Sequence, residues 1–332
     1  IALTGTTTGA DVTLNATKGS ISGSGLVTAD NANATAAMTI SLNLAVASLD
    51  AAASGDIVVV ESDSISLETV KSSAGDVDIT ANGAVTVNGS VSGLDVSLAG
   101  STLSLTGTVQ SSRDLALNAT DQGFALDGLV VSGNLSVIAG GAITQAGGID
   151  VSGSTSLSAA GFDITLGEAD NIFGSAVAIL AADDVILNAN GAIDLGASTI
   201  SGNLAVTATG AITDSGALNI TGTTTLAAGS ANAITLDDAN DFGGAVSITT
   251  GRDVTLNDTG AIDVGASTIS GNLAVTAAGG ITDSGALDVS GTTRLAAGSA
   301  NDILLDAANN FVGAISVTSA NDVTLNDSGA ID

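Results

Sequence analysis

The sequence predicts an all-β fold, a parallel β-solenoid built from stacked coils. Residues 191–259 and 260–328 are two copies of one 69-residue repeat and are identical at 51 of 69 positions. A third, more diverged copy covers 122–190. Internal similarity at a fixed period is typical of solenoids, propellers and related arrays. The chain is therefore interpreted as one array rather than as a set of unrelated globular domains.

Shorter segments inside the repeat indicate the length of each coil. Three segments of one template begin at Gly202, Gly222 and Gly244, and the next begins at Gly271, so the last step is the longest. Apolar side chains alternate within each segment, which is the period of a strand with one buried face. The spacing predicts coils of about 20–27 residues, three coils in each 69-residue super-repeat, and about 14 coils in all.

Composition favours the solenoid over a propeller, the closest alternative array. A propeller blade needs about 40 residues, four strands and aromatic motifs. This chain has no Trp or Tyr and only five Phe. It also has no Pro, which would remove a ladder hydrogen bond, and it has 43 Gly that can form corners.

Two comparisons between copies predict which side chains point inward. Thr225 becomes Arg294 in the next copy, and alternation with the neighbouring Leu places this position on the outside, where an arginine is easily solvated. One Phe recurs in each repeat, and we interpret it as a filler of the interior or of a corner. These residues are Phe173, Phe242 and Phe311.

We expect one continuous β-solenoid over residues 1–332. It would comprise diverged coils at 1–121, super-repeats at 122–190, 191–259 and 260–328, and the start of a further repeat at 329–332. The chain begins without Met and shows no polar cap at either end, so we expect it to be a segment of a longer protein.

No apolar run approaches the roughly 18 residues of a membrane span, and the absence of Cys leaves the redox compartment open.

Composition also argues against several function classes. The chain has no His, Cys, Tyr or Trp, which removes the usual acid–base, thiol and aromatic stacking groups. The five Lys and Arg residues are scattered along it. A net charge of −29 repels phosphate, so we expect no nucleic-acid binding. The prediction is a protein without enzymatic activity.

Acidic clusters are the candidate binding chemistry, with Ca²⁺ as the candidate ligand. Asp237, Asp238 and Asp241 lie close together in the chain, and Asp258 and Asp263 lie in the following corner. Oxygen ligands at such spacing suit Ca²⁺. The alternative is that Asp and Asn cap the turns and keep the protein soluble, and the next copy has lost two of the first three charges.

The longest step also predicts a protruding loop. Each third coil carries about five to seven extra residues around 258–266. Periodic insertions often mark the binding face of a solenoid. The loop would either fold back on its coil or mediate lateral packing between fibres.

The Gly-x-Leu-x-Val/Leu-x-Ala units, the Asn-Asp-x-Gly-x-Ile corners and the cysteine-free array rich in Gly, Ala, Thr and Asn resemble large bacterial exoproteins of the filamentous-haemagglutinin type. These are adhesins exported by two-partner secretion. The resemblance covers essentially the whole chain and is best from residue 122 onward. It implies a right-handed parallel β-helix, export through an outer-membrane β-barrel partner, and a location outside the cell or at the bacterial surface.

The resulting expectation is the structural shaft of a secreted or surface-tethered bacterial fibre that mediates attachment or aggregation through an extracellular receptor. The first alternative is a self-assembling filament or surface-layer subunit whose end coils stack on the next copy. The second is a carbohydrate-active β-helix, which would need paired carboxylates in a sugar-binding cleft. Self-association, laterally or end to end, is the other expected interaction.

Overall fold

The computed structural model describes residues 1–329 and divides into two compact units. The first unit comprises Ile1–Thr144 and Asp150–Ser156, and the second comprises Gln145–Ile149 and the described residues from Leu157 onward. Residues 330–332, and with them most of the further repeat predicted at 329–332, lie outside the described residues. The single continuous solenoid stays a prediction, and each unit is treated by itself below.

The fold is a right-handed parallel β-helix with about 16 turns in total, which confirms the predicted fold class. The described residues contain 41 strands and no helix. The strand pairings described for them are parallel, as expected when each turn stacks on the previous one. The alternating burial within the strands matches the predicted period of two.

The strands up to Ser158 are β1 (Ala2–Leu3), β2 (Thr7–Thr8), β3 (Asp11–Ala16), β4 (Ile21–Ala36), β5 (Ile40–Ala53), β6 (Ile57–Glu61), β7 (Ile65–Ser72), β8 (Val77–Ala81), β9 (Val85–Gly93), β10 (Val96–Gly100), β11 (Leu103–Leu105), β12 (Thr108–Ser111), β13 (Leu115–Ala119), β14 (Phe124–Leu126), β15 (Val130–Val131), β16 (Leu135–Ala139), β17 (Ile143–Gln145), β18 (Asp150–Val151) and β19 (Thr155–Ser158).

The strands that follow are β20 (Ile164–Leu166), β21 (Ile172–Phe173), β22 (Val177–Ala181), β23 (Val185–Ala189), β24 (Ile193–Leu195), β25 (Ser198–Ile200), β26 (Leu204–Ala208), β27 (Ile212–Asp214), β28 (Leu218–Ile220), β29 (Thr224–Ala227), β30 (Ile234–Phe242), β31 (Val246–Thr250), β32 (Val254–Asp258), β33 (Ile262–Val264), β34 (Ser267–Ile269), β35 (Leu273–Ala277), β36 (Ile281–Asp283), β37 (Leu287–Val289), β38 (Thr293–Ala296), β39 (Ile303–Phe311), β40 (Ile315–Ser319) and β41 (Val323–Asp327).

The core of the first unit consists of aliphatic ladders. In one ladder each residue is the register partner of the next, one turn further along, and every member is buried: Ile21, Ile40, Ile57, Val77, Val96, Leu115 and Leu135. Burying a side chain of this size contributes about 1.5–3 kcal/mol. The stacking therefore stabilises each turn through its neighbours on both sides.

The second unit has two broad faces. Face 1 contains β24, β27, the first half of β30, β32, β35, β38 and β40. Face 2 contains β23, β26, β29, β31, β33, β36, the first half of β39 and β41.

The 69-residue repeat spans three and a half turns, not the predicted three. On face 2, Leu204 pairs with Thr224, Thr224 with Val246, and Val246 with Val264, and each pairing is one turn. Leu273, the equivalent of Leu204 one repeat later, pairs with β32 on face 1 instead. Equivalent strands of consecutive repeats therefore lie on opposite faces, and the long coil predicted between Gly244 and Gly271 does not exist.

The same half turn removes the predicted protruding loop. Within 258–266, β33 pairs with β31 on one side and with β36 on the other. The residues interpreted as an insertion therefore continue the β-helix and supply the additional half turn. The prediction of a loop around 258–266 was wrong because Ile262–Val264, between Gly260 and Gly265, is a strand.

A short third strand in each turn forms an edge, and its position changes between repeats. Edge 1 consists of β25, β28 and the end of β30, on the connection from face 1 to face 2. Edge 2 consists of β34, β37 and the end of β39, on the connection from face 2 to face 1. Because the two connections close the coil on opposite sides, edge 1 and edge 2 lie on opposite sides of the second unit.

The predicted facing of individual side chains is confirmed. Thr225 and Arg294 are exposed on β29 and β38, so the substitution between copies lies on the outside. The recurring aromatic residues are buried fillers, namely Phe173, Phe242 and Phe311.

Candidate functional site

One corner of the first unit carries a column of carboxylates, here called the aspartate ladder, formed by Asp56, Asp76, Asp95 and Asp114. Each residue immediately precedes a member of the buried aliphatic ladder, so the side chains recur at the same corner on consecutive turns. The residues are exposed or half-buried. The β-helix thus places four negative charges in one column, separated by about 4.8 Å per turn.

Each carboxylate of the ladder accepts a hydrogen bond from the next turn. The backbone N–H of Asp76 donates to Oδ1 of Asp56 at 3.1 Å, and the N–H of Asp95 donates to Oδ1 of Asp76 at 3.1 Å. The N–H of Asp114 donates to Oδ1 of Asp95 at 3.0 Å. These corner N–H groups lie where the strand ladder is interrupted, so the side chains replace missing carbonyl partners.

Arg113 partly neutralises the ladder. Its Nη2 lies 3.0 Å from Oδ1 of Asp76 and 2.8 Å from Oδ2 of Asp95, and its Nε donates to Oδ1 of Asp95 at 3.0 Å. Asp95 first, and then Asp76, raise the pKa of Arg113. The guanidinium thereby holds two carboxylates of adjacent turns together on a solvent-exposed corner.

A shallow groove runs beside the aspartate ladder. Its volume is about 520 Å³, and one wall is the ladder itself. The outward side chains of successive strands form its floor, among them Val58, which is 39% exposed, and Asp78. The groove combines an apolar strip with a row of carboxylates, and such a surface attracts cations through the summed charge of the row.

The second unit repeats this corner hydrogen bonding twice with different residues. Asp184 accepts from the N–H of Asn203 at 2.7 Å, and the Oδ1 of Asn203 accepts from the N–H of Thr223 at 2.9 Å. One repeat later the same contacts join Asp253, Asn272 and Thr292. The backbone N–H of Asn272, followed by the Arg252 side chain, lowers the pKa of Asp253.

A buried asparagine occupies one position of each repeat: Asn171, Asn240 and Asn309. The Oδ1 of Asn240 accepts from the N–H of Leu218 at 2.8 Å, and its Nδ2 donates to Oδ2 of Asp214 at 2.7 Å. Asp214 also accepts from the N–H groups of Asp237 and Asp238. Burial raises the pKa of Asp214. This network closes the bulge that lets β30 pass from face 1 to edge 1.

The structure places the five predicted Ca²⁺ ligands in different roles. Asp237 and Asp238 lie in the bulge of β30 between Leu236 and Asn240, and Asp241 is exposed on edge 1. Asp258 is only 2% exposed, and its carboxylate accepts from the N–H groups of Phe242 and Gly260. Burial raises the pKa of Asp258, and the charge of Asp241 adds to this.

The fifth predicted ligand, Asp263, lies on β33, and its Oδ1 is buried without a hydrogen-bond partner. Over residues 1–329, no three carboxylates converge as ligands of one metal ion. The observed contacts of Asp214 and Asp258 correspond to the alternative reading, in which acidic side chains close turns. Ca²⁺ binding at the five residues stays a prediction, and the five side chains do not form a ligand cluster among the described residues.

A buried carboxylate also closes a turn in the first unit. Glu61 is fully buried, its Oε2 accepts from the N–H of Val46 at 3.2 Å, and its Oε1 accepts from the N–H of Ser62 at 2.8 Å. Burial raises the pKa of Glu61.

The aspartate ladder and the buried asparagines were not predicted from the sequence. Two signals were available: an Asp that precedes an inward aliphatic residue once per turn, and an Asn that recurs once per repeat. Neither signal distinguishes a structural hydrogen bond from a binding site, since both require the same polar side chain at the same corner.

The fold and these corners define the class of the protein, an acidic β-solenoid repeat protein whose carboxylates and amides close its turns. No helix among residues 1–329 has the length and hydrophobicity required to cross a membrane.

Residues 112–180, 182–249 and 251–318 match the family described as repeats of unknown function (DUF5649), and together these segments cover more than half of the chain. The chain therefore belongs to this family. The matched segments follow one another at a spacing close to the period read from the sequence. No curated protein and no solved structure matches the chain.

Proposed function

We propose that this chain is part of the structural shaft of a secreted or surface-tethered bacterial fibre that mediates attachment or aggregation. The observation that carries the proposal is the 69-residue repeat, which adds three and a half turns and continues the same parallel stacking. Such a repeat increases length at about 4.8 Å per turn and presents equivalent positions on alternate sides of the coil.

The physical properties of the chain suit this role. Each turn is joined to its neighbours by backbone ladders and buried aliphatic columns, so pulling one turn away exposes both neighbours. A net charge of −29 keeps a repetitive surface soluble. By its resemblance to the filamentous-haemagglutinin type, the chain would be exported by an outer-membrane transporter and would contact an extracellular receptor.

The first experiment is electron cryomicroscopy of fibres taken directly from the producing cells. A shaft predicts uninterrupted chain density along many consecutive turns. A chain break at a constant number of turns would contradict it and favour the alternative of a filament or surface layer assembled from stacked subunits.

A second experiment distinguishes a repeat that only adds length from a repeat that itself contains the attachment site. Deleting 191–259 joins residue 190 to Gly260, which restores the original repeat boundary because both copies begin alike. A shaft predicts a surface fibre shortened by about 17 Å with attachment largely retained. Complete loss of attachment with the fibre still displayed would place the function in the deleted segment and contradict the proposal.

A further inference from the structure

Edge 1 and edge 2 each display one row of exposed side chains. The row of edge 1 is Thr199, Asn219 and Asp241, which are register partners on successive turns. The row of edge 2 is Thr268, Asp288 and Asn310. Because the repeat contains a half turn, these equivalent rows lie on opposite sides of the second unit.

The two rows differ by a reciprocal exchange of amide and carboxylate. Asn219 of edge 1 corresponds to Asp288 of edge 2, and Asp241 corresponds to Asn310. If the two rows face each other and run parallel along the coil axis, each carboxylate lies opposite a carboxamide. The carboxamide then donates a charge-assisted hydrogen bond to the carboxylate. The Thr at the start of each row then meets the Thr of the other row.

We propose that edge 1 of one copy binds edge 2 of a second copy, so that chains associate side by side. The inference rests on the proposed fibre function and names the partner of its lateral surface. Asn219 and Asp241 of one copy contact Asp288 and Asn310 of the other. The copies are staggered by three and a half turns, or about 17 Å.

Charge disfavours three of the competing arrangements. Parallel pairing of two edge 1 rows places Asp241 against Asp241, and pairing of two edge 2 rows in either orientation places Asp288 against Asp288. Like charges opposite one another at an interface oppose association. Within edge 2, Nδ2 of Asn310 donates to Oδ1 of Asp288 at 2.9 Å, and both side chains are exposed.

The contact between single rows is small. Three short strands on each side bury much less than the roughly 1,200–2,000 Å² of a stable interface, so one pairing is weak. Repetition of the edges along a longer array would add pairings without new chemistry, and avidity would then hold the chains together. A test on this chain must therefore trap a transient contact.

Disulfide trapping suits the chain because it contains no Cys. Thr199→Cys and Thr268→Cys are prepared separately, mixed as full chains at about 0.15 M salt, where long-range repulsion is screened, and oxidised. The proposal predicts a disulfide-linked dimer of one variant with the other, about tenfold above the mixture of Thr225→Cys with Thr268→Cys. Thr225 is exposed on face 2 and serves as the matched control.

Charge exchange then tests the pairing itself. Asn219→Asp in the Thr199→Cys chain should reduce trapping about tenfold, because it opposes Asp288, whereas Thr225→Asp in the same chain should leave trapping unchanged. Asp288→Asn in the Thr268→Cys chain should restore it. Circular dichroism of each variant checks that the β-helix is retained.

Two results would overturn the proposal. The first is trapping no greater than that of the Thr225→Cys control. The second is efficient dimerisation of Asn219→Cys alone, which would show edge 1 pairing with itself. Neither result bears on whether the chain is a shaft, since the length of isolated fibres is measured separately.

Discussion

At the scale of single residues, a buried threonine stands in a ladder of aliphatic side chains. Thr224 pairs with Leu204 and Val246, is 0% exposed, and its Oγ1 has no hydrogen-bond partner. The equivalent positions in the other two repeats, Thr155 and Thr293, share this property. A buried hydroxyl without a partner carries a desolvation cost.

Thr224→Val should therefore stabilise the protein by about 1 kcal/mol, because valine keeps the shape and removes the unpaired hydroxyl. Urea unfolding followed by circular dichroism measures the change. Thr225→Val, on the exposed side of the same strand, is the control and should change the free energy of unfolding by less than about 0.5 kcal/mol. Loss of stability in Thr224→Val would mean that the hydroxyl has a partner.

The buried asparagine network provides a second prediction at this scale. Asn240→Asp would place a second carboxylate against Asp214 where an amide now donates at 2.7 Å. We expect a loss of about 3–5 kcal/mol at pH 7, because a buried carboxylate at position 240 then meets the like charge of the half-buried Asp214. The loss should shrink on acidification, as protonation removes the repulsion. Equal destabilisation at pH 7 and pH 4.5 would contradict the electrostatic explanation, and Asn219→Asp is the exposed control.

At the scale of the turn, glycines allow successive corners to approach closely. A Cβ on Gly107 would lie 2.0 Å from the backbone oxygen of Gly89, one turn away. A Cβ on Gly19 would have no heavy atom within 4 Å. The difference shows that only some corners require glycine for packing.

Gly107→Ala should destabilise the first unit by more than about 3 kcal/mol, because backbone rather than a flexible side chain must move. Gly19→Ala should change stability by less than about 1 kcal/mol. Thermal unfolding of the two variants compares them directly. Similar melting temperatures would show that the turns at Gly107 can separate without cost.

At the scale of the whole molecule, acidification should stabilise the protein before it destabilises it. Burial raises the pKa of Glu61, Asp214 and Asp258. A raised folded pKa means that the folded state binds protons at higher pH than the unfolded state, so stability rises as pH falls through the folded pKa toward the unfolded value. Protonation also reduces the self-repulsion that accompanies a net charge of −29.

The melting temperature should therefore increase from pH 7 to about pH 5. Asp253 acts in the opposite direction, since its pKa is lowered and its contribution is lost only at more acidic pH. Melting curves at several pH values measure the trend, and Asp214→Asn should show a smaller gain than the unaltered chain. A monotonic fall from pH 7 downward would contradict this prediction.

The sequence alone determined the class of fold and the facing of most strands. Alternation of apolar residues acts between neighbouring residues, and both the fixed-period repetition and the absence of Pro are properties of the sequence itself, so all three can be read without knowing which turns become neighbours. For this reason the outward position of Arg294 was predicted correctly, and Phe242 is buried, in agreement with its prediction as a filler of the interior or of a corner.

Only the tertiary structure decided how the repeats stack and what the carboxylates bind. The sequence contains the 69-residue period, but the number of turns within it depends on which strands become neighbours, and Leu273 stacks on Val254 rather than in the column of Leu204. Likewise, Asp258 and Asp214 contact N–H groups of adjacent turns, far from them in the chain. Such partners follow from the length of each turn, because a shift of half a turn moves every polar side chain to the opposite side of the coil.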